Sequence, residues 1–398
     1  MSSPWYFIIF PEKMSAKLQK VLVLLLMLLQ DLQLTGASCS CSASTCHCDS
    51  QRLASIPQDL PVSITYLRLE FDNITALRTT DFPRYRNLHS LYLPRNHLTT
   101  IHSRAFYCLI NLTTLDLRWN RLTCLGAETF IGLGSLEILN LDYNDISTIE
   151  EETFSPTPQL VVLLLGSNKL TSIPQGSFRG LTQLQMIDLF SNKISEIQLG
   201  TFSDLPRLQH LYLYQNRITD IQPGTFSNMT QLQILSLFFN NMTVVRSGTL
   251  SNLPRLKELD LDFNQIAEIQ PGAFSNLPQL QHLGLGHNRM EFLPWTVCYQ
   301  LYSRSRSVRV TLDNNPWNCD CRMVSSKVEM TKYCPSETID QITCAGPAKL
   351  YRQKLQDVAP TDLNCLELTN AAADKHSLPC HFTYMLMFCA FAVELIAN

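Results

Sequence analysis

Asparagine recurs every 24 residues through most of the chain, and this spacing constrains the fold more than any other feature. Asp72 holds the same place one period before the first of these asparagines. The series runs Asn96, Asn120, Asn144, Asn168, Asn192, Asn216, Asn240, Asn264 and Asn288. Self-similarity at a fixed period of about 20–50 residues is the signature of stacked structural repeats. The 398 residues are therefore predicted to form an elongated array rather than one compact core.

Each period carries the pattern L-x-x-L-x-L-x-x-N-x-[LIM], for example "LQHLYLYQNRI" at residues 208–218. Leucines at the first, fourth and sixth places of this pattern point inward from a short strand and its approach. The asparagine at the ninth place is expected to satisfy backbone groups at a turn, and a phenylalanine ten residues later, such as Phe226, fills the convex side. No repeat can bury these faces alone, so the repeats are predicted to stack into a curved parallel sheet.

Two cysteine clusters bracket the array and indicate an oxidising compartment. Eight of the 14 cysteines fall in them: Cys39, Cys41, Cys46 and Cys48 before the repeats, and Cys319, Cys321, Cys344 and Cys365 after them. The second cluster includes "NPWNCDC" at 315–321. Such clusters are typical of disulfide caps that cover the apolar ends of a repeat array.

Repeats and caps together resemble extracellular leucine-rich-repeat proteins of the 24-residue type over residues 39–365, and among these the variable-lymphocyte-receptor-like and Slit-like ectodomains. The resemblance implies an α/β solenoid, a horseshoe with a parallel β-sheet on its concave face and disulfide caps at both ends, with two disulfides in each cap. The first cap departs from the family, because its usual first cysteine is missing and Cys46 is additional. Its pairing is open among three connectivities.

Six further cysteines lie outside these clusters, and four of them fall in the predicted repeats and C-terminal cap. Cys298 occupies the phenylalanine place of the last repeat, so it is either a buried thiol or bonded to Cys334. Cys108 and Cys124 lie in adjacent repeats at different places, and no bond between them is predicted.

The chain divides into five predicted segments. Residues 1–37 form a signal peptide, with Met14 as an alternative start, because lysines precede the apolar run "VLVLLLMLL" and small residues follow it. The N-terminal cap spans 38–62, ten repeats span 63–300, and the C-terminal cap spans 301–365. Residues 366–398 join small residues, a polar spacer and a short apolar run, which predicts a glycolipid-anchor (GPI) signal; the alternatives are a secreted form or a chain whose true end is longer.

The third, fifth, seventh and eighth places of each repeat flank the inward leucines and form four columns on the concave face. Their aromatic content is well above the 9% of the whole chain, and large outward-facing aromatics are favoured at protein interfaces. For the eighth column, packing against the next repeat is an equal alternative to ligand binding. The fifth and seventh columns supply the predicted ligand-binding residues Tyr92, Asp116, Arg118, Asp142, Asp188, Phe190, Tyr212, Tyr214, Phe238, Asp260 and Asp262.

Other classes of site are not supported by the sequence. The net charge of −3, without a basic block, argues against nucleic acid as a partner. No nucleophile, metalloprotease or phosphate-loop motif occurs, so we expect no enzyme and no cofactor. Glu258, Asp260 and Asp262 on one strand are more simply a solvated face than a cation site, and scattered histidines predict no metal.

Four sequons predict N-glycosylation in a secreted chain, at Asn73, Asn111, Asn228 and Asn241. The protein is accordingly expected to be secreted or held at the extracellular face of the plasma membrane, and to bind a protein or glycan on its concave surface. Resemblance to variable lymphocyte receptors implies innate immune or pathogen recognition. The alternative is a cell-adhesion or matrix-organising protein with self-association.

Overall fold

A computed structural model describes residues 39–302 and 308–363. The predicted signal peptide, Cys365 and the predicted anchor signal lie outside these residues. Those parts of the domain division stay predictions.

Short strands recur once or twice in every repeat. In chain order they are β1 Ser40–Cys41, β2 Thr45–His47, β3 Tyr66–Arg68, β4 Ala76–Leu77, β5 Ser90–Tyr92, β6 Thr100–Ile101, β7 Thr114–Asp116, β8 Cys124–Leu125, β9 Ile138–Asn140, β10 Thr148–Ile149, β11 Val162–Leu164, β12 Met186–Asp188, β13 His210–Tyr212, β14 Ile234–Ser236, β15 Val244–Val245, β16 Glu258–Asp260, β17 Glu268–Ile269, β18 His282–Gly284 and β19 Arg309–Thr311.

Thirteen of the described strands form one sheet in the order β1-β2-β3-β5-β7-β9-β11-β12-β13-β14-β16-β18-β19. From β2 onward the pairing is parallel and in register with the repeat, so that Leu211 pairs with Ile187 on one side and with Leu235 on the other. The remaining strands pair in twos, as β4 with β6, β8 with β10 and β15 with β17. Turns make up most of the convex side. The predicted leucine-rich-repeat solenoid is confirmed.

Helices occur late in the described chain. They are α1 Trp295–Tyr302, α2 Arg322–Tyr333 and α3 Ser336–Ile339, followed by the 3₁₀ turns Ala348–Leu350, Leu355–Asp357 and Pro360–Asp362. The helix α1 replaces the turn on the convex side of the last repeat, while α2 and α3 belong to the C-terminal cap.

The core is a continuous column between the sheet and the convex turns. In the repeat around Tyr212, the inward residues Leu208, Leu211 and Leu213 are completely buried. The convex phenylalanines stack from one repeat to the next, with ring centroids 6.3 Å apart for Phe202 and Phe226. Every repeat therefore completes its apolar core against its neighbours, as the period predicts.

The repeated asparagines bind the coils to one another. Asn216 donates from Nδ2 to the carbonyl of Leu189 at 2.9 Å and to that of Leu213 at 3.1 Å, and its Oδ1 accepts from the amide of Ile194 at 3.0 Å. Because the side chain is buried, these bonds compensate for lost hydration of both the amide and the backbone groups. Asp72 occupies this slot in the first repeat; its Oδ1 accepts from the amide of Leu53, whereas its buried Oδ2 has no hydrogen-bond partner in the part of the chain that the structure describes.

Disulfides close both ends. Cys39 pairs with Cys48 and Cys41 with Cys46 on the antiparallel hairpin of β1 and β2, which selects one of the three open connectivities. At the other end Cys319 pairs with Cys344, and Cys321 is also disulfide-bonded. Cys298 pairs with Cys334, with Cα atoms 5.3 Å apart, and so joins α1 to the cap. Cys108 and Cys124 form no disulfide within the described residues.

These bonds place the chain in an oxidising environment. The protein is therefore secreted or lies on the extracellular face of the plasma membrane, as predicted. Within the described residues, no helix has the length and apolar character needed to cross a bilayer.

Candidate ligand-binding surface

The eighth residue of each repeat has a left-handed backbone, with φ between 51° and 58° in all ten repeats. This turn sends the following asparagine inward and leaves the eighth side chain outside. Left-handed backbone is uncommon for bulky residues and costs conformational energy. Five aromatics nevertheless occupy this column: Phe71, Trp119, Tyr143, Phe239 and Phe263.

Exposure separates the eighth column from the other concave aromatics. The five eighth-column rings are 36–56% exposed. The predicted contact residues are less exposed and are half-buried, namely Tyr92, Phe190, Tyr212, Tyr214 and Phe238. From the sequence, the eighth-column rings are either packed against the next repeat or accessible to a ligand. The structure shows both, since Trp119 stacks on Tyr143 and Phe239 on Phe263 while all five rings stay accessible. In the sequence, these residues can be identified by their position directly before the inward asparagine.

Five aromatics meet near the middle of the sheet, and we call Trp119, Tyr143, Phe190, Tyr212 and Tyr214 the central cluster. Trp119 stacks on Tyr143 with ring centroids 3.9 Å apart. Phe190 stacks on Tyr214 at 5.2 Å and meets the edge of Tyr143 at 6.0 Å, while Tyr212 stands edge-on to Tyr214 at 6.3 Å. These contacts connect four repeats into one aromatic surface.

Gly166 makes the long reach of Phe190 possible. Tyr143 and Phe190 lie two repeats apart, and the intervening repeat has glycine in the seventh column. The ring of Phe190 lies over this glycine, where any Cβ would overlap it. The absent side chain at position 166 is therefore what allows the two aromatic groups to touch.

Phe238 belongs to a second group rather than to a single strip with Tyr214. Its ring contacts are with Phe239 at 5.1 Å and Phe263 at 5.3 Å. Phe263 in turn stacks on Phe239 at 5.0 Å and on His287 at 3.9 Å. The predicted contact residues Tyr214 and Phe238 thus lie in different aromatic groups, the central cluster and this C-terminal cluster.

Tyr92 lies apart from both clusters, near the N-terminal end of the sheet. Its ring contacts Tyr66 at 5.2 Å. Beyond this pair, Glu70 forms an ion pair with Arg95, with 3.0 Å between Oε1 and Nη1, and another with Arg68. The environment of Tyr92 is therefore more strongly charged than that of the central cluster.

The predicted acidic contacts in the fifth column have backbone partners. Oδ1 of Asp116, Asp188 and Asp260 accepts a hydrogen bond at 2.9–3.0 Å from the amide two residues later in the chain. These carboxylates therefore fix the end of each strand. Asp116 also pairs with the half-exposed Arg118, whose Nε lies 3.1 Å from its Oδ2.

Two predicted acidic contacts in the seventh column bridge to the next repeat. Asp142 accepts from the amide of Gly166 at 2.7 Å, and Asp262 accepts from the amide of Gly286 at 2.6 Å and from the hydroxyl of Thr311 at 2.9 Å. Burial raises the pKa of Asp142 to about 6 despite the Gly166 bond. These residues hold adjacent coils in place as well as facing the concave side.

The central cluster is poorly hydrated for a surface. Burial raises the pKa of Asp188 to about 6. It also raises the pKa of Tyr214 to about 12, with the negative charge of Asp188 acting in the same direction. The Tyr214 hydroxyl is therefore a neutral donor at physiological pH, set among apolar rings.

The histidines and the acidic strand show no coordination geometry. Within residues 39–302 and 308–363, no group of three or more His, Cys, Asp or Glu side chains is arranged to hold a metal ion. His287 stacks on Phe263, and its Nε2 lies 3.0 Å from the side-chain nitrogen of Asn314. Burial lowers the pKa of His210.

Three predicted glycosylation sites, Asn73, Asn111 and Asn228, are exposed, and Asn241 is half-buried. None of them lies among the fifth- and seventh-column residues. Glycosylation itself stays a prediction.

Comparison with protein-family models gives one description, "Leucine rich repeat", which matches residues 62–122, 110–170, 158–218, 207–266 and 254–303. Curated relatives match over short segments. Trophoblast glycoprotein of Rattus norvegicus is 43% identical over 60 residues, which are 15% of this chain and 14% of the relative. Amphoterin-induced protein 1 of Mus musculus is 45% identical over 60 residues, or 15% and 12% of the two chains. SLIT and NTRK-like protein 5 of Homo sapiens is 29% identical over 76 residues, or 19% and 8%.

Solved structures match over longer stretches. One match is a chain from the octameric complex of Latrophilin 3, Unc5D and FLRT2, of which FLRT2 is described by its leucine-rich repeats. This chain is 27% identical with a TM-score of 0.68, and the match covers 82% of the present protein and 98% of the matched chain. A leucine-rich-repeat protein of Leptospira interrogans is 28% identical with a TM-score of 0.57 and covers 67% of this chain and 65% of its own. The curated relatives, by contrast, are each matched over less than a fifth of their length.

Proposed function

Because the chain belongs to the leucine-rich-repeat family, we propose that it is an adhesion-type recognition protein that binds a protein partner on its concave sheet. The observation that carries this proposal is the central cluster, in which accessible aromatic rings from four repeats meet. Surfaces of this kind are enriched at protein interfaces, because rigid aromatics bring a large contact area at low entropic cost. The family supplies the scaffold, and the concave side chains supply the specificity.

The central cluster has the chemistry of an interface hot spot. Phe190 and Tyr214 are half-buried and form an apolar centre, while Tyr143 and Trp119 are 38% and 45% exposed at one margin. Arg118, half exposed, adds a charged group at the rim. Hot spots are commonly such aromatic centres surrounded by polar residues that exclude water. A partner should therefore insert an apolar residue beside Tyr214 and hydrogen-bond to its hydroxyl.

Adhesion is favoured over innate immunity by the similar proteins, one of which is solved in an assembly with other proteins. Three short matches are to trophoblast glycoprotein, Amphoterin-induced protein 1 and SLIT and NTRK-like protein 5. A structural match that covers 82% of this chain comes from a complex in which a leucine-rich-repeat region is assembled with other proteins. Immune recognition, the role that the sequence first suggested, has no such support. We propose binding without catalysis; a glycan ligand, self-association and a lipid anchor stay hypotheses.

A binding screen tests the role. The full-length chain, secreted from animal cells and labelled, is applied to three probes: an array of cell-surface ectodomains, an immobilised second copy of the chain, and microbial surface preparations. We expect saturable binding to an ectodomain. Binding to microbial surfaces alone would overturn the adhesion proposal in favour of immune recognition.

Point variants test the site. Tyr214→Ala should weaken the affinity for the ectodomain found in the screen by about 2 kcal/mol, as expected for a hot-spot aromatic. Phe238→Ala, in the C-terminal cluster, is the matched comparison and indicates whether the interface extends that far. Full affinity in Tyr214→Ala would place the partner elsewhere on the horseshoe.

A further inference from the structure

The sequence Phe-x-Asn-x-Thr occurs three times, at residues 71–75, 226–230 and 239–243. The structure divides these three segments into two kinds. Phe226 belongs to the buried convex stack and is 2% exposed, whereas Phe71 and Phe239 occupy the left-handed eighth place and are 56% and 50% exposed. Only two of the three sequons therefore follow an accessible ring.

In these two segments the phenylalanine, asparagine and threonine lie on the same side of the backbone. Residues alternate between outside and inside: Asp72 and Ile74 are buried in the first segment, and Asn240 and Met242 are buried in the second. The residues between them are accessible, namely Phe71, Asn73, Thr75, Phe239, Asn241 and Thr243. The acceptor asparagine and the ring are therefore both accessible, with one buried residue between them.

Each of these rings is also the first member of a stack. The guanidinium of Arg95, one repeat later, lies 4.9 Å from the ring centre of Phe71. In the same way, Phe263 covers Phe239 at 5.0 Å with the ring planes within 7°. Among the described residues, Phe71 contacts no other aromatic ring, while Phe239 stacks in parallel on Phe263 alone and meets Phe238 edge-on at 5.1 Å. About half of each phenylalanine stays exposed, 56% of Phe71 and 50% of Phe239, so that part of each ring is accessible to a further group.

The acceptor nitrogens also differ between sequons. Asn241 accepts from Nε2 of Gln265 through its Oδ1 at 3.4 Å, and its Nδ2 makes no hydrogen bond within the described residues. In Asn111, by contrast, Nδ2 donates to the carbonyl of Arg86 at 3.3 Å. The nitrogen that would form the glycosidic bond is thus engaged at Asn111 and available at Asn241.

We propose that Asn73 and Asn241 carry N-linked glycans whose first N-acetylglucosamine packs on the exposed ring surfaces of Phe71 and Phe239. In the attachment step, the side-chain Nδ2 forms a bond to C1 of the sugar of a lipid pyrophosphate-linked oligosaccharide. The bond between C1 and the pyrophosphate oxygen breaks, the lipid pyrophosphate leaves, and Nδ2 loses one proton.

Packing follows from the properties of the two surfaces. The face of an aromatic ring is electron-rich and attracts the weakly positive C–H bonds on the apolar side of a pyranose. The contact also removes apolar ring surface from water. The sugar would continue each stack by one layer, and it would cover the flank of the horseshoe while the central cluster stays open to a partner.

Glycopeptide mass spectrometry of the full-length chain secreted from animal cells tests occupancy. We expect glycan at Asn73 and Asn241. Absence of glycan at both sites in the secreted protein would overturn the proposal.

A double-mutant cycle tests the packing. Phe239→Ala is made in two backgrounds, the glycosylated parent and the unglycosylated Asn241→Gln variant. It should lower the melting temperature by about 1–3 °C more in the glycosylated parent, because only that background loses a contact between the ring and the sugar. The same comparison is made for Phe71→Ala with Asn73→Gln. Thr243→Ala and Thr75→Ala remove the sequons while keeping both asparagines, and they provide the unglycosylated arm if a glutamine variant is not secreted.

Two other eighth-column rings provide controls, because each can be paired with a sequon that is distant from it. Trp119→Ala, which is distant from Asn241, should shift the melting temperature equally with and without the Asn241 glycan. Phe263→Ala serves in the same way against Asn73→Gln. If Phe71→Ala and Phe239→Ala each lowered the melting temperature equally with and without the adjacent glycan, glycan and ring would be independent. That result would overturn the packing proposal.

Discussion

The ring of Phe190 covers Gly166 so closely that a Cβ at position 166 would overlap it. This relationship fixes Phe190 against Tyr143 on the far side of the intervening repeat. The shape of the central cluster therefore depends on a position that has no side chain.

Gly166→Ala is expected to displace the Phe190 ring and to weaken partner binding about tenfold, since the cluster would lose its central contact. The melting temperature should change little, because an accessible ring can rotate away at a cost of about 1 kcal/mol or less. Titration of the variant against the partner from the screen measures the effect. Gly134→Ala is the matched control, because a Cβ there meets no atom within 4 Å. Unchanged affinity in Gly166→Ala would exclude Phe190 from the interface.

Alternation along β13 predicts opposite outcomes for neighbouring residues. Leu211→Ala and Leu213→Ala should each lower the free energy of unfolding by about 2–5 kcal/mol, since both leucines are completely buried. Tyr214→Ala should lower it by about 1 kcal/mol or less, because its side chain lies outside the core. Denaturant unfolding of the three variants measures the difference. Equal losses would mean that Tyr214 belongs to the core.

The raised carboxyl pKa values predict pH-dependent stability. The pKa of Asp142 and Asp188 is about 6 in the folded protein, against 3.8 ordinarily, so folding favours their protonated forms. Their stabilising contribution is therefore present below about pH 4 and is lost as the pH rises through 6.

Asn variants at these two positions should make this loss visible. Asp142→Asn and Asp188→Asn keep the accepting oxygen but carry no charge. Relative to the parent, each should gain about 1 kcal/mol or more of stability between pH 4 and pH 7. Melting curves across this range provide the measurement, and a difference that does not change with pH would contradict the assigned burial.

Asp72 offers a test of the asparagine ladder. Its buried Oδ2 has no partner, whereas Asn96, at the same place one repeat later, donates from Nδ2 to the carbonyl of Leu69 at 2.6 Å. Asp72→Asn should therefore raise the free energy of unfolding by about 1 kcal/mol at neutral pH. The reverse change, Asn216→Asp, should lower it by about 1–3 kcal/mol, because a buried donor is replaced by a charged acceptor. A loss of stability in Asp72→Asn would show that the first slot is built for a carboxylate.

Alkylation without reductant should distinguish the cysteines. In the native protein Cys124 should react and Cys108 should not, because the first is exposed and the second buried. Denaturation should make Cys108 reactive while Cys298 and Cys334 stay protected. Reduction of the cap disulfides should then lower stability by about 2–5 kcal/mol. Labelling of Cys298 before reduction would contradict its pairing with Cys334.

The sequence alone determined the repeat, its period and the direction of each side chain. A residue's place in the 24-residue pattern decides whether it points inward, as Leu211 does, or outward, as Tyr212 does, because strand geometry alternates the two. The same reasoning identified Asn216 as a backbone partner and the cysteine clusters as caps. All of these depend on local geometry that every repeat shares.

Only the tertiary structure decided which outward side chains meet. Phe190 bends across Gly166 to reach Tyr143, while Phe238 turns to Phe239 and Phe263 instead of Tyr214. The pattern fixes a side chain's face but not its rotamer or its contacts with other repeats, which depend on the volume left by intervening residues. The N-terminal disulfide pairing was likewise open until the hairpin set Cys41 opposite Cys46, because connectivity follows from the distances between chain segments and not from their spacing in sequence.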